Sequence, residues 1–71
     1  MIPISQINIG DIFQNPLFPD GNLYVVEDIN KEEKMIKVQA YNFYSFKPIL
    51  DPFWKKNTDR MFSESWRWKY K

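Results

Sequence analysis

Residues Met35 to Tyr41 alternate in character. Ile36, Val38 and Ala40 fall on one side, and Met35, Lys37, Gln39 and Tyr41 on the other. A period of two marks a strand with one buried face. The preceding stretch, Asn22 to Ile29, holds Leu23, Tyr24, Val25, Val26 and Ile29, β-favouring residues that leave both faces partly apolar. Between the two lies Asn30-Lys31-Glu32-Glu33-Lys34, a charged tip, so the pair reads as an antiparallel hairpin with a buried inner face.

The flanks are more broken. Residues 1–8, with Pro3, Ser5 and Asn8, read as a lead-in with one helical turn, and Ile9-Gly10-Asp11-Ile12-Phe13 as a turn delivering a short strand. Two prolines and an Asp-Gly pair make Asn15 to Gly21 a loop that nothing regular should cross. Asn42-Phe43-Tyr44-Ser45-Phe46 is expected to continue the third strand, as strand or as a bent extension of it, until Pro48. Asp51-Pro52 has the form of an N-cap followed by proline at the first helical position, which predicts a short helical turn over 52–57. A last strand is expected from Phe62 or Glu64. In it Trp66, Trp68 and Tyr70 would share one side, and Arg67, Lys69 and Lys71 the other. About five short strands and no long amphipathic helix predict an all-β domain, a small barrel or a strongly bent antiparallel sheet, spanning residues 1–71 as one unit.

The Gly10-Asp11 pair opening the first strand, Tyr24-x-Val26 in the second, the polar hairpin and the alternating third strand resemble small SH3-like barrels of bacteria and phages. The resemblance covers roughly residues 9–41. It implies a five-stranded barrel whose loops and aromatic surface bind peptides, nucleic acid or a partner protein. The chain lacks the paired tyrosines and acidic loop of peptide-binding SH3 domains, which argues against polyproline recognition.

Composition sharpens this picture. With no Cys and no His, disulfides, thiolate metal sites, the usual catalytic triads and the usual general base are all missing. Two glycines cannot build a phosphate-cradling loop. The carboxylate pairs Glu27/Asp28 and Glu32/Glu33 are adjacent, so on strands they diverge and on a hairpin tip they are solvated. Asp11 reads as a turn residue that binds backbone amides. No enzyme, cofactor or metal is expected. The different-class alternative is a carboxylate-based enzyme, which would need Asp11, Asp28 and Asp51 or Asp59 to converge.

Six Phe, four Tyr and three Trp are a large aromatic load for 71 residues, and a small interior cannot hide all of them. Net charge is +1, but it is unevenly placed: four Lys face seven Asp and Glu through residue 51, and six Lys and Arg face two acids after it. The candidate binding residues follow from these two facts. In the last segment Trp66, Trp68 and Tyr70 are expected chiefly in the core, against Ile12, Val26 and Val38, with Arg67 and Lys69 on a basic stripe outside. Phe53-Trp54-Lys55-Lys56, with Arg60 nearby, could either stack on a partner while its cations meet anions or plug one end of the barrel. Tyr41 and Phe43 fall opposite the Ile36/Val38/Ala40 face and so are interface candidates.

The expected function is a non-catalytic binding module or inhibitor that docks an aromatic and basic surface onto a larger protein. Its type also suits a phage or mobile-element accessory protein acting on a host enzyme. The alternative is nucleic-acid binding by Trp and Tyr stacking with Lys and Arg on phosphates, and a self-assembling structural subunit is the third reading. A protein partner ranks ahead of nucleic acid, because the net charge is small and the hairpin tip is acidic. A monomer or homodimer would serve. No apolar run approaches the roughly 18 residues of a membrane span, and no signal-peptide pattern is present, so the expected location is the cytoplasm.

Overall fold

A computed structural model of the chain describes residues 1–69. Four antiparallel strands, β1 (Ile12–Phe13), β2 (Leu23–Asn30), β3 (Met35–Tyr41) and β4 (Pro48–Lys56), form one sheet in the order β1-β2-β3-β4. The sheet is open. The expected five-stranded, SH3-like barrel does not form among the described residues, because no ladder joins β1 to β4. The lead-in does carry a single 3-10 turn, Ile4–Gln6. Among the described residues no helix is long and apolar enough to cross a membrane.

The β2–β3 hairpin forms as the alternation predicts, with Val26 opposite Val38 and Ile29 opposite Ile36. Asn30 closes its tip by accepting the Glu33 N–H on Oδ1 at 3.0 Å, and Lys34 adopts the left-handed backbone at φ 55°. Before β1, Gly10 sits at φ 96°, a conformation that favours glycine. Its N–H donates to Val26 O, and Asp11 Oδ2 accepts the Asn8 N–H at 2.9 Å. Asp11 is thus a turn residue that binds a backbone amide.

Three local expectations give way to tertiary pairing. The third strand stops at Tyr41, because Asn42 Oδ1 accepts the N–H groups of Tyr44 and Ser45 at 2.9 and 3.0 Å and bends the chain into a turn. No helical turn forms over 52–57. Residues 52–56 belong to β4, where Phe53 pairs with Val38 and Lys55 with Ile36. Proline is tolerated there because β4 is a sheet edge, where a missing N–H leaves no ladder bond unmade. The last strand from Phe62 or Glu64 is also absent. Turns run through residue 66, and one bridge, Phe13 to Arg67, attaches the tail to β1. Tyr70 and Lys71, expected to extend the aromatic and basic rows, lie outside the described residues.

The core lies on one face of the sheet. Phe13, Val26, Ile36 and Val38 supply the sheet side, and Ile2, Ile7, Met61 and Phe62 cover it. The two covering segments are joined, since the Ile2 N–H donates to Phe62 O at 3.0 Å. Phe62 meets Phe13 edge to face with ring centroids 5.3 Å apart, a preferred aromatic geometry. Both rings are fully buried. Phe62→Ala should therefore cost about 3–5 kcal/mol, read as a lowered urea midpoint with an unchanged slope.

Candidate functional site

Cross-strand register sorts the side chains onto two faces, because directly opposed residues in an antiparallel pair share a side. Opposite the core face, Ile12 pairs with Val25, Val25 with Gln39, and Leu23 with Tyr41. Farther along, Lys37 stands between Asp28 and Trp54, and Met35 stands opposite Lys56. This outer face carries an open cleft of about 250 Å³ lined by Ile12, Leu23, Val25, Tyr41, Phe46 and Trp68. Its lining is almost wholly apolar.

Each wall has a local cause. Leu23 and Val25 project outward because Tyr24 and Val26 take the core side of the same strand. Trp68 is held beside β1, where its N–H donates to Ile12 O at 2.8 Å and its indole N–H to Gln14 Oε1 at 3.1 Å. Phe46 closes the turn after β3 at φ 55° and is 64% exposed. Gln39, also on this face, is buried. Its side-chain amide donates to Ala40 O at 2.9 Å and Leu50 O at 3.0 Å. Those bonds support the irregular stretch of β4, where Leu50 takes φ 61° and is 87% exposed.

Only part of the predicted set of site residues converges on this face. Tyr41 lines the cleft, and exposed Lys69 follows Trp68 in the chain. Trp54, 43% exposed, and exposed Lys56 lie farther along the same face, with Lys37 Nζ 6.0 Å from the Trp54 ring centroid. Arg60 is exposed on the turn after β4. Phe43 is half-buried, edge-on to Tyr44 at 5.4 Å. Lys55 opposes Ile36 on the core side and forms an ion pair with Asp59 at 3.1 Å.

Arg67 does not join a basic stripe outside the sheet. Paired with Phe13, it turns inward, where its Nη2 donates to Gln6 O at 2.6 Å and forms an ion pair with Asp11 Oδ2 at 3.3 Å. Its guanidinium carbon lies 5.9 Å from the Phe13 ring centroid, while Nε is buried with no hydrogen-bond partner. Trp66 packs against the core beside Tyr24, whereas Trp68 stands beside Val25, so the two indoles serve different faces.

Two carboxylates have clear electrostatic surroundings. Asp59 is held below the ordinary aspartate range, first by the Met61 N–H it accepts and then, against desolvation, by Lys55 and Arg60. The Tyr44 hydroxyl donates to Asp20 at 2.6 Å, a bond that raises the tyrosine's pKa and ties two exposed loops together. Among the described residues no three His, Cys, Asp or Glu side chains gather to hold a metal ion.

Sequence reasoning passed over Leu23, Val25, Phe46 and Lys37 as site residues, although an apolar set on both faces of β2 was the available signal. The fold is a four-stranded open antiparallel sheet with its core on one side and an apolar cleft on the other. No protein-family model, curated protein or solved structure matches this chain.

Arg67→Met should destabilise the fold by about 2–3 kcal/mol, from loss of charge-assisted bonds in a partly buried setting. Denaturant titration checks this, and Arg67→Lys should restore less than half of the loss. A second expectation concerns acid. The depressed Asp59 contributes stability that is fully present above the unfolded aspartate value and is lost as pH falls through its lower folded value. The stability gap between wild type and Asp59→Asn should therefore be constant near neutrality and shrink below about pH 4, as followed by urea midpoints.

Proposed function

We propose that the protein is a non-catalytic binding module that docks the outer face of its sheet onto a larger protein. One observation carries this reading: the chain lays its main cover on one sheet face and leaves the other with an open, almost wholly apolar cleft. A concave surface lined by apolar and aromatic side chains is a common form of binding site. Its aromatic residues, Tyr41, Phe46 and Trp68, are of types enriched in protein interface cores. A module of this kind fits an accessory or inhibitory protein that acts by occupying a surface on its target.

Nucleic acid is the second reading, favoured by Trp54 beside Lys37 and Lys56. The internal ion pairs weigh against it. Of the cations that the basic tail offers, Lys55 is neutralised by Asp59 and Arg67 by Asp11. A cleft with scarcely any polar lining also has little to offer a phosphate or a base edge.

Affinity capture from native lysate, with and without nuclease and at two salt concentrations, tests the reading when Trp54→Ala and Val25→Lys are run beside wild type. A stoichiometric protein that survives nuclease, weakens less than about tenfold between 50 and 200 mM salt, and is lost with either variant is the expected result. Neutralisation of four phosphates on a single strand would instead give a loss of about 50-fold over that salt range. Such a loss, or capture abolished by nuclease, would overturn the protein-partner reading.

A further inference from the structure

We propose that a second cleft, away from the docking face, binds one neutral sugar ring, a hexopyranose unit. Asn15, Phe18, Gly21, Asn22, Tyr24 and Trp66 line it. Tyr24 and Trp66 pack on the core side of the sheet, so this cleft shares no wall with the outer one. Its volume is about 200 Å³. That is below the range of sites for drug-sized ligands and above the roughly 150 Å³ that holds benzene, so a single six-membered ring is the size that fits. The walls are tied together before any ligand arrives. Gln14 donates its backbone N–H to Trp66 O at 2.8 Å and its side-chain amide to the carbonyls of Pro19 and Gly21 at 3.0 and 2.9 Å. One residue thus joins the tail wall to the loop wall. Within the loop the Phe18 N–H donates to Asn15 O and the Gly21 N–H to Phe18 O. A Cβ at position 21 would stand 3.1 Å from Phe18 Cβ, so glycine lets the loop close this tightly.

The lining sets the chemistry of the ligand. Three aromatic rings, from the loop after β1, from β2 and from the tail, stand beside two asparagines, and no charged side chain is among them. Arg67, next to Trp66 in the chain, is turned to Gln6 O and Asp11. Asp20, next to Gly21, keeps its charge but directs Oδ2 to the hydroxyl of Tyr44, which is not a lining residue. Rings and amides without an ion call for a neutral ligand that has an apolar face and a hydrogen-bonding edge. A pyranose has both, since its axial C–H groups gather on a face that stacks on an aromatic ring while its hydroxyls donate and accept around the edge. Asn15 Oδ1 accepts the Leu17 N–H at 3.0 Å, which leaves its NH2 group as a donor, and exposed Asn22 carries a donor and an acceptor. Hydroxyls match that mixture. A quaternary ammonium suits the rings but can bond to neither amide. A nucleotide brings phosphate to a lining without a cation. Prolyl segments offer carbonyl acceptors alone, which leaves Asn22 Oδ1 unmatched.

Heteronuclear NMR titration of the isotope-labelled protein with the methyl glycosides of glucose, galactose, mannose and N-acetylglucosamine tests the proposal. At least one should bind with a dissociation constant in the millimolar range expected of so small a ligand. It should move the Trp66 indole and the Asn15 and Asn22 side-chain amides, and leave the Trp54 and Trp68 indoles in place. Phe18→Ala and Asn22→Ala should each weaken that binding by about fivefold or more. Both positions are exposed, so both variants should keep the wild-type circular dichroism spectrum. No response to any of these glycosides, shifts confined to Trp54 or Trp68, or binding indifferent to both variants would overturn the proposal. So would tighter binding of choline, adenosine or a decaproline peptide in parallel titrations. Val25→Lys, which alters the outer cleft alone, should leave the glycoside response intact, so the sugar site stands or falls separately from the docking face. A response lost with Val25→Lys would put the sugar in the outer cleft and overturn the assignment made here.

Discussion

The edge-to-face contact of Phe13 with Phe62 is where the covering segments meet the sheet. Around it gather Ile2 and Ile7 from the lead-in and Met61 from the turns after β4, each buried. These segments, with the ring of Trp66, supply the cover for one face of the sheet. A chain this short has little else to lay over the other face, since small domains bury a smaller share of their surface than large ones. The long loop from Gln14 to Asn22 is occupied with its own closure: Gln14 Nε2 donates to the carbonyls of Pro19 and Gly21 at 3.0 and 2.9 Å. The outer face thus has the thinner cover, with Leu23 and Gln39 buried on it and Ile12, Val25 and Tyr41 only half-buried, and the cleft lies where that cover is incomplete.

Arg67 links that packing to the charge on the surface. By reaching across to Asp11 and Gln6 it fixes the tail against the turn before β1, and in the same act it withdraws a cation from solvent. Lys55 does the equivalent with Asp59 on the turn after β4. The basic tail apparent in the linear sequence is consequently a weaker electrostatic feature in three dimensions. What the register leaves on the outer face is Lys37 and Lys56, apart from the apolar cleft, which is a poor track for a phosphate backbone.

The β2–β3 hairpin, its buried inner face and the turn at Gly10-Asp11 were legible because period-two alternation and turn chemistry act locally. β4 was not. Asp51-Pro52 carries a genuine helix-start signal, but pairing Phe53 with Val38 buries area that one isolated helical turn could not. The Trp-Arg-Trp-Lys alternation misled for a related reason. A strand-like pattern requires a partner along its length, and β1 offers two residues, so alternation survives as a single bridge with Arg67 on the Phe13 side. The idea that aromatics exceed the interior's capacity was sound in outline. Which rings stay outside depended on register, and register is set by long-range pairing that no window of sequence contains.

The edges of the sheet bear on how such a surface would be used. Asn57 turns its N–H toward Lys34 O, so by strand alternation Phe53 and Lys55 also face β3, while Trp54, Lys56 and Pro52 direct their backbone outward. Proline at 52 has no N–H to offer there, and Leu50 at φ 61° interrupts the line of the strand. With lysines at 55 and 56 as well, β4 has the features by which natural sheets discourage edge-to-edge pairing. On the opposite side β1 is capped by the tail through Trp66 and Trp68, whose backbone groups exchange bonds with Gln14 and Ile12. Growth of the sheet by strand addition is therefore disfavoured at both ends, which weakens the case for a self-assembling structural subunit. If the protein binds a partner as proposed, the face rather than either edge is the surface available, and docking there would depend on side chains instead of backbone ladders.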